Sequence, residues 1–185
     1  LPVRAFRSAT HSFGTGQTLD LDRTLARWAG TGYEPVSVVV GQGQFSPRGG
    51  ILDIYPPASS GPVRFELFGS RIESLRRFDP ATQRSRERLE SVVIGPAREA
   101  LPQHGPRISS LVAELLAADL PQDERSELEN HLLGLSGATP FPGLEFYLPY
   151  FHSEPATLLD HLGGEAIVVL DDEQELAETW AALEQ

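Results

Sequence analysis

Five short apolar or alternating segments follow one another closely in the first half of the chain, and they constrain its fold more than any other feature. The segments are residues 36–40, 50–55, 63–68, 71–78 and 86–94. Their alternation and their content of β-branched and aromatic residues predict β-strands. Sequences such as PPASSGP and FGS lie between them and are typical of turns. Because these connections are too short for crossover helices, we expect an antiparallel meander.

One helix is predicted before these strands, at about residues 20–30. Asp20 is a suitable N-cap, Leu25 and Trp28 share one helical face, and a glycine ends the segment. This helix would cover one face of the sheet. We therefore expect a compact α+β domain over residues 17–98.

The second half of the chain has a different pattern. Helical spacing predicts helices at 108–119 and 123–133, and a short strand at 166–170 precedes a helix that starts near residue 173. The predicted parts of this α+β chain are an extended linker at 1–16, the antiparallel-sheet module at 17–98, a mainly helical domain at 99–162, and a returning strand and helix at 163–185.

Charge is distributed unevenly along the chain, whose net charge is −11. Residues 48–98 contain nine arginines against six acidic residues, whereas residues 99–185 contain two arginines against seventeen. Binding of nucleic acid through its phosphates requires a basic face. The last segment cannot supply one, and the middle segment is better suited to a protein partner with an acidic surface.

Composition excludes several classes of protein. No apolar run approaches the roughly 18–20 residues that cross a bilayer, so we expect a cytoplasmic protein. Cysteine is absent, which excludes disulfides and thiolate metal sites. Methionine is also absent, as is expected of a fragment or a processed chain.

The stretch IVVLDDE, at 167–173, resembles the strand and acidic pair that hold Mg²⁺ in nucleotide hydrolases. That role also requires a phosphate-binding loop with a lysine, and this chain contains no lysine. Asp171 and Asp172 are therefore predicted to cap the last helix, where negative charge is stabilised by the helix dipole. The histidines lack the spacing of metal ligands. We expect no catalytic, cofactor or metal site in this chain.

The segment at 63–68 places an aromatic residue among charged ones. Alternation puts Val63, Phe65 and Leu67 on one face and Arg64, Glu66 and Phe68 on the other. Arginine together with an aromatic residue is the composition of interface hot spots. Two interpretations remain open here: Phe68 is exposed for a partner, or it packs under a neighbouring loop.

Two blocks of sequence resemble a known family. FSPRGGILDIYPP and GPVRFELFGSRIESLRRFDPATQRS closely resemble the UvrA-binding domain shared by UvrB and the transcription-repair coupling factors. The later segments GPAREALP and PGLEFYLPYF are similar to the coupling factors rather than to UvrB. EAIVVLDDEQEL is similar to the strand and helix of their degenerate, UvrB-like helicase domain.

This resemblance implies a role in recruiting UvrA to stalled RNA polymerase during nucleotide excision repair. The family's UvrA-binding positions fall on Arg48, Arg64 and Phe68. The two arginines would bind carboxylates of UvrA, and the ring would be buried beside them. Asp53 and Glu66 are expected to be solvated. In full-length members, ATP and Mg²⁺ serve a separate motor, and the protein's own C-terminal domain covers the UvrA-binding surface.

Two alternatives remain. One is a UvrB-type fragment, which would also bind UvrA but would act in damage verification. The other is a nucleic-acid-binding module that uses the arginines of the hairpin region. Those arginines are Arg71, Arg76, Arg77, Arg84, Arg86 and Arg88. Alternation would scatter them over both faces of the sheet.

Overall fold

The first residues form regular structure rather than the expected extended linker. The structure, a computed structural model, describes residues 1–115, 121–154 and 156–183. Helix α1 (Val3–Ala9) is followed by strand β1 (His11–Gly14). No side chain caps the N-terminus of α1, so the sequence lacks the usual signal for a helix start. The expectation of an extended segment is wrong for the residues of α1.

A six-stranded sheet forms the centre of the first half. Its strands are β2 (Glu34–Pro35), β3 (Gln44–Arg48), β4 (Ile51–Ile54), β5 (Val63–Phe68), β6 (Arg71–Phe78) and β7 (Ser85–Leu89). Consecutive strands from β3 to β7 pair in antiparallel fashion, which confirms the predicted meander. The short β2 adds to β3 in parallel.

Two predicted strands differ from the structure. Residues 36–40 form a loop instead of a strand. Side chains of the following strand bind the loop: the Ser46 hydroxyl donates to the Ser37 carbonyl, and the Gln44 side chain accepts from the N–H groups of Val40 and Gly41. The segment at 86–94 divides into β7 and β8 (Ser91–Ile94). Strand β8 leaves the meander and pairs with β1 in a separate two-stranded sheet.

Helix α2 (Leu21–Gly30) covers one face of the sheet, as predicted. The Asp20 side chain accepts a hydrogen bond from the Arg23 N–H at 3.1 Å, so it is the N-cap. Trp28 is only 1% exposed and packs into the core between helix and sheet. The buried members of this core are Leu19, Trp28, Tyr33, Phe45, Leu52, Ile54, Val63, Phe65, Ile72, Leu75 and Ile94.

The second half is mainly helical, as predicted. It contains α3 (Gly105–Leu115), α4 (Gln122–Ser136) and the short α5 (Leu148–Phe151), which enclose a second hydrophobic core. The predicted end of the first of these helices lies outside the described residues. The two cores separate between residues 94 and 100, and the four domain boundaries themselves remain a prediction.

The end of the described chain contains a helix but not the strand predicted before it. Residues 166–170 are exposed and carry no strand, because a strand requires a paired neighbour and no described segment pairs with them. Helix α6 (Glu173–Leu183) follows as predicted. The Asp172 side chain accepts a hydrogen bond from the Glu175 N–H at 3.0 Å, which confirms the predicted cap for Asp172; the same role for Asp171 stays a prediction. No helix of the described residues has the length and apolar character needed to cross a membrane.

Candidate protein-docking site

Two tight hairpins turn at the same end of the six-stranded sheet. Gly49 and Gly50 connect β3 to β4, and Gly69 and Ser70 connect β5 to β6. Gly49 and Gly69 have φ angles of +58° and +60°, which glycine adopts without steric cost. The hairpins lie against each other, because the Leu67 N–H donates to the Gly50 carbonyl at 2.7 Å. This end of the sheet is therefore well defined.

Phe68 is the last residue of β5, and its ring lies in solvent. It is 80% exposed, so the interpretation that it packs under a loop is wrong. Its neighbour Leu67 packs against the core, which places Phe68 on the opposite face of the sheet. Arg71 pairs with Phe68 across the turn and is also exposed. The last cross-strand pair of this hairpin thus consists of an exposed aromatic residue and an exposed arginine.

Arg48 ends β3 at the same edge as Phe68. Its side chain is 43% exposed, and its Nη2 lies 2.9 Å from Oδ2 of Asp53. β3 and β5 are separated by one strand, and Phe68 lies two residues farther along β5 than Glu66, which is aligned with Arg48; the backbones of Arg48 and Phe68 therefore lie about 12 Å apart. Both residues lie within the footprint of one typical protein interface.

Arg64 lies beneath this surface rather than on it. Its side chain is only 11% exposed. Its Nε and Nη2 donate to the two oxygens of Asp53 at 2.8 and 2.9 Å, and its Nη1 donates to the Gln83 carbonyl at 3.1 Å. The guanidinium carbon lies 4.6 Å from the centroid of the Phe78 ring. The hydrogen bond to Asp53 raises the pKa of Arg64.

Asp53 joins the two arginines, and the expectation that it is solvated is wrong. It is 0% exposed. β4 pairs with β5 so that Asp53 lies directly opposite Arg64, and cross-strand neighbours of opposite charge attract each other. Glu66 is only partly solvated, because it accepts a hydrogen bond from the Ser74 hydroxyl. The structure therefore brings Arg48 and Arg64 together through one buried carboxylate.

Gln83 is a further part of this cluster that the sequence did not indicate. It lies in the turn between β6 and β7 with a φ angle of +60°. Its side-chain amide donates to the carbonyls of Val39 and Pro80 at 3.0 and 2.8 Å. The turn itself was predictable from the letters DPAT. No periodic pattern in the sequence indicates that the Gln83 side chain reaches Val39, in a loop 44 residues earlier in the chain.

The remaining arginines of the hairpin region do not form one basic face. Arg76, Arg77 and Arg86 form ion pairs with Glu66, Glu87 and Asp79, respectively. Strand alternation places neighbouring arginines of β6 on opposite faces. This scatter agrees with the expectation from sequence, and it disfavours continuous contact with a phosphate backbone.

Comparison with known proteins links this module to a family. Residues 12–99 match the family described as the UvrB interaction domain. A transcription-repair-coupling factor of Bacillus subtilis (strain 168) is 35% identical over 92% of this chain and 15% of its own length. That of Myxococcus xanthus is 34% identical over 100% of this chain and 16% of its own length.

A third relative extends the same similarity. The transcription-repair-coupling factor of Staphylococcus aureus (strain MRSA252) is 31% identical over 98% of this chain and 16% of its own length. The chain thus spans about one sixth of the length of these curated relatives. The sheet module and the match along the chain lead to one conclusion: residues 12–99 carry a UvrB interaction domain, and the homologues of this chain over nearly its whole length are segments of transcription-repair-coupling factors.

Proposed function

We propose that this chain binds UvrA and thereby recruits it to stalled RNA polymerase in transcription-coupled nucleotide excision repair. The observation that carries the proposal is the exposed ring of Phe68, 80% in solvent, at the end of a tight hairpin on the same edge of the sheet as Arg48. A large ring on the surface of a folded module has an unfavourable contact with water that a partner removes. The resemblance of this module to the UvrA-binding domain implies UvrA as that partner, and the match to the UvrB interaction domain and the coupling-factor relatives support the proposal.

Recognition combines one apolar contact with one charged contact. The Phe68 ring would enter an apolar pocket of UvrA. Arg48 uses one nitrogen for Asp53, and its remaining N–H groups would bind a carboxylate of UvrA. The buried ring would exclude water from that ion pair, which strengthens it.

Arg64 contributes from below the surface. Its guanidinium already holds Asp53 and the Gln83 carbonyl, so we propose that it supports the docking surface instead of forming a new bidentate bond to UvrA. Loss of Arg64 would leave Asp53 buried with Arg48 as its remaining partner. Truncating one member of a buried charge cluster strongly destabilises the arrangement around it.

The proposal also covers the longer protein of which such a chain would be a part. The motor that uses ATP and Mg²⁺ would lie in a different part of that protein. The C-terminal domain of that protein would cover the Phe68 surface until UvrA is required. This part of the chain would act only by binding.

The test is a pull-down of UvrA by this chain and by its variants Arg48→Ala, Arg64→Ala and Phe68→Ala. We expect each variant to lose most of the bound UvrA while circular dichroism shows a folded chain. Full binding by all three folded variants would overturn the assignment. A DNA titration at two salt concentrations separates the nucleic-acid alternative, because phosphate binding weakens steeply as salt is raised.

A further inference from the structure

The Asp53 carboxylate lies at the centre of a buried charge cluster that the proposed contacts do not by themselves explain. Its Oδ1 accepts from Arg64, and its Oδ2 accepts from both Arg64 and Arg48. The residue is 0% exposed. A carboxylate without water is costly unless charged donors compensate it, and here two arginines do so.

The two arginines are used unequally in this cluster. The Arg64 side chain is 11% exposed, and all three of its guanidinium nitrogens donate hydrogen bonds within the chain. The Arg48 side chain is 43% exposed, and one of its nitrogens donates such a bond. Two cations against one anion leave one positive charge in excess. Because Arg64 is enclosed, that charge is presented to a partner at Arg48.

The turn at 79–84 holds the cluster from the other side. The Gln83 carbonyl accepts from Nη1 of Arg64, and the Gln83 side chain donates to Val39 in the loop between β2 and β3. Asp79 stabilises the turn by accepting the N–H groups of Ala81 and Thr82. Arg64 is thus held between Asp53 and a turn that is itself tied to a second loop.

We infer that Asp53 and Gln83 are positioning residues of the docking surface: together they hold Arg64, and Asp53 aims the single excess charge at Arg48 toward an acidic group of the partner. The inference rests on the proposed function, since the partner is UvrA. It specifies that the surface of UvrA that is bound would contain one carboxylate beside an apolar pocket.

The first test uses the sign of a charge effect. Asp53→Asn removes a negative charge near a surface that binds an acidic partner, so electrostatics alone would tighten UvrA binding. If Asp53 instead positions the arginines, its loss should weaken UvrA binding, and we expect the affinity of Asp53→Asn to be about tenfold lower. The matched control is Glu87→Gln, which removes an exposed carboxylate from the ion pair with Arg77. It changes the net charge equally, and we expect it to leave UvrA binding unchanged or slightly tighter.

A spectroscopic measurement on the same chain reports position directly. The Nε–H of Arg64 donates to a buried carboxylate, so its ¹⁵N–¹H signal should exchange slowly with water. We expect that protection to be lost in Asp53→Asn and kept in Glu87→Gln. A merely structural role of Asp53 would lower the melting temperature and leave the affinity of the folded chain unchanged.

Gln83→Gly keeps the test decisive if Asp53→Asn does not fold. Glycine adopts the φ angle of +60° freely and retains the backbone carbonyl that binds Arg64, so the substitution removes only the side-chain hydrogen bonds to Val39 and Pro80. We expect about threefold weaker UvrA binding and faster exchange at Arg64. Ala81→Gly, an exposed position in the same turn, is the control and should bind as the unmodified chain does.

The outcomes separate this inference from the proposed function. If Phe68→Ala loses UvrA while Gln83→Gly and any folded Asp53→Asn bind normally or more tightly, the inference is overturned and the proposed function stands. If the unmodified chain does not bind UvrA, both are overturned. Weaker binding by Gln83→Gly or Asp53→Asn, with loss of Arg64 protection and normal controls, supports the inference.

Discussion

Replacement of Phe68 by alanine removes an exposed ring and leaves the fold intact, so it isolates the binding contribution of this side chain. An aromatic side chain has roughly 150–250 Å² of surface to bury, and Phe68 is 80% exposed in the free chain. The part that is exposed in the free chain is thus roughly 120–200 Å². Its burial by UvrA at about 25 cal/mol per Å² amounts to about 3–5 kcal/mol. Ordering costs reduce the net effect, and we expect Phe68→Ala to lose about 2–4 kcal/mol of UvrA binding.

The assay is a titration of labelled chain with UvrA, with thermal unfolding measured in parallel. The expected loss corresponds to an affinity about 30-fold to several hundredfold lower, with stability changed by less than about 0.5 kcal/mol. Phe146→Ala is the matched control, since Phe146 is 85% exposed but lies in the helical half, and it should retain full affinity. Equal affinities of Phe68→Ala and the unmodified chain would refute the reasoning.

Three further predictions concern charge, pH and a helix cap. Arg48→Ala should weaken UvrA binding by about tenfold at low salt, and titrations at higher salt should show a smaller difference because the contact is half-exposed; a loss that is independent of salt would contradict this. Burial raises the pKa of Tyr33, whose hydroxyl donates to the Gly95 carbonyl at 2.7 Å. The folded chain thus resists ionisation of Tyr33, so its contribution to stability is present below about pH 10 and is lost as the pH rises further. Thermal unfolding at alkaline pH should show that loss in the unmodified chain and a smaller one in Tyr33→Phe. Asp20→Ala removes the N-cap of α2 and should lower the free energy of unfolding in urea by about 1 kcal/mol; an unchanged transition would show that the cap is not needed.

The strands that sequence predicted best are those whose local signals agree. β5 and β6 begin and end at the predicted residues, because the alternation of β5 and the FGS turn both favour one hairpin. Helix α2 was predictable for the same reason, since Asp20 caps it and Trp28 lies on its apolar face. Where propensity, period and turn chemistry agree, little depends on tertiary context.

The errors occur where tertiary contacts override local preference. Residues 36–40 are rich in valine, yet they form a loop whose Ser37 carbonyl and Val40 N–H bind the side chains of Ser46 and Gln44. β3 was missed because Pro47 lies within it, and proline is unfavourable in central strands. It is tolerated because β2 pairs only with the first two residues of β3, so no neighbouring strand lies beside Pro47 on that side.

In the candidate site, too, alternation predicts the face of the sheet on which a residue lies, whereas strand pairing determines which residues it contacts. Alternation placed Arg64 and Phe68 on one face, but it does not distinguish a solvated face from one covered by loops. Asp53 explains why Arg64 is covered. It lies opposite Arg64 in the pairing of β4 with β5, and a buried carboxylate at that position requires the guanidinium to turn inward. Alternation therefore leaves the exposure of the Phe68 ring open, and the resemblance to the UvrA-binding domain favours the exposed position. The inward arginine follows only once the strand register is known, because the register decides which charge the arginine meets.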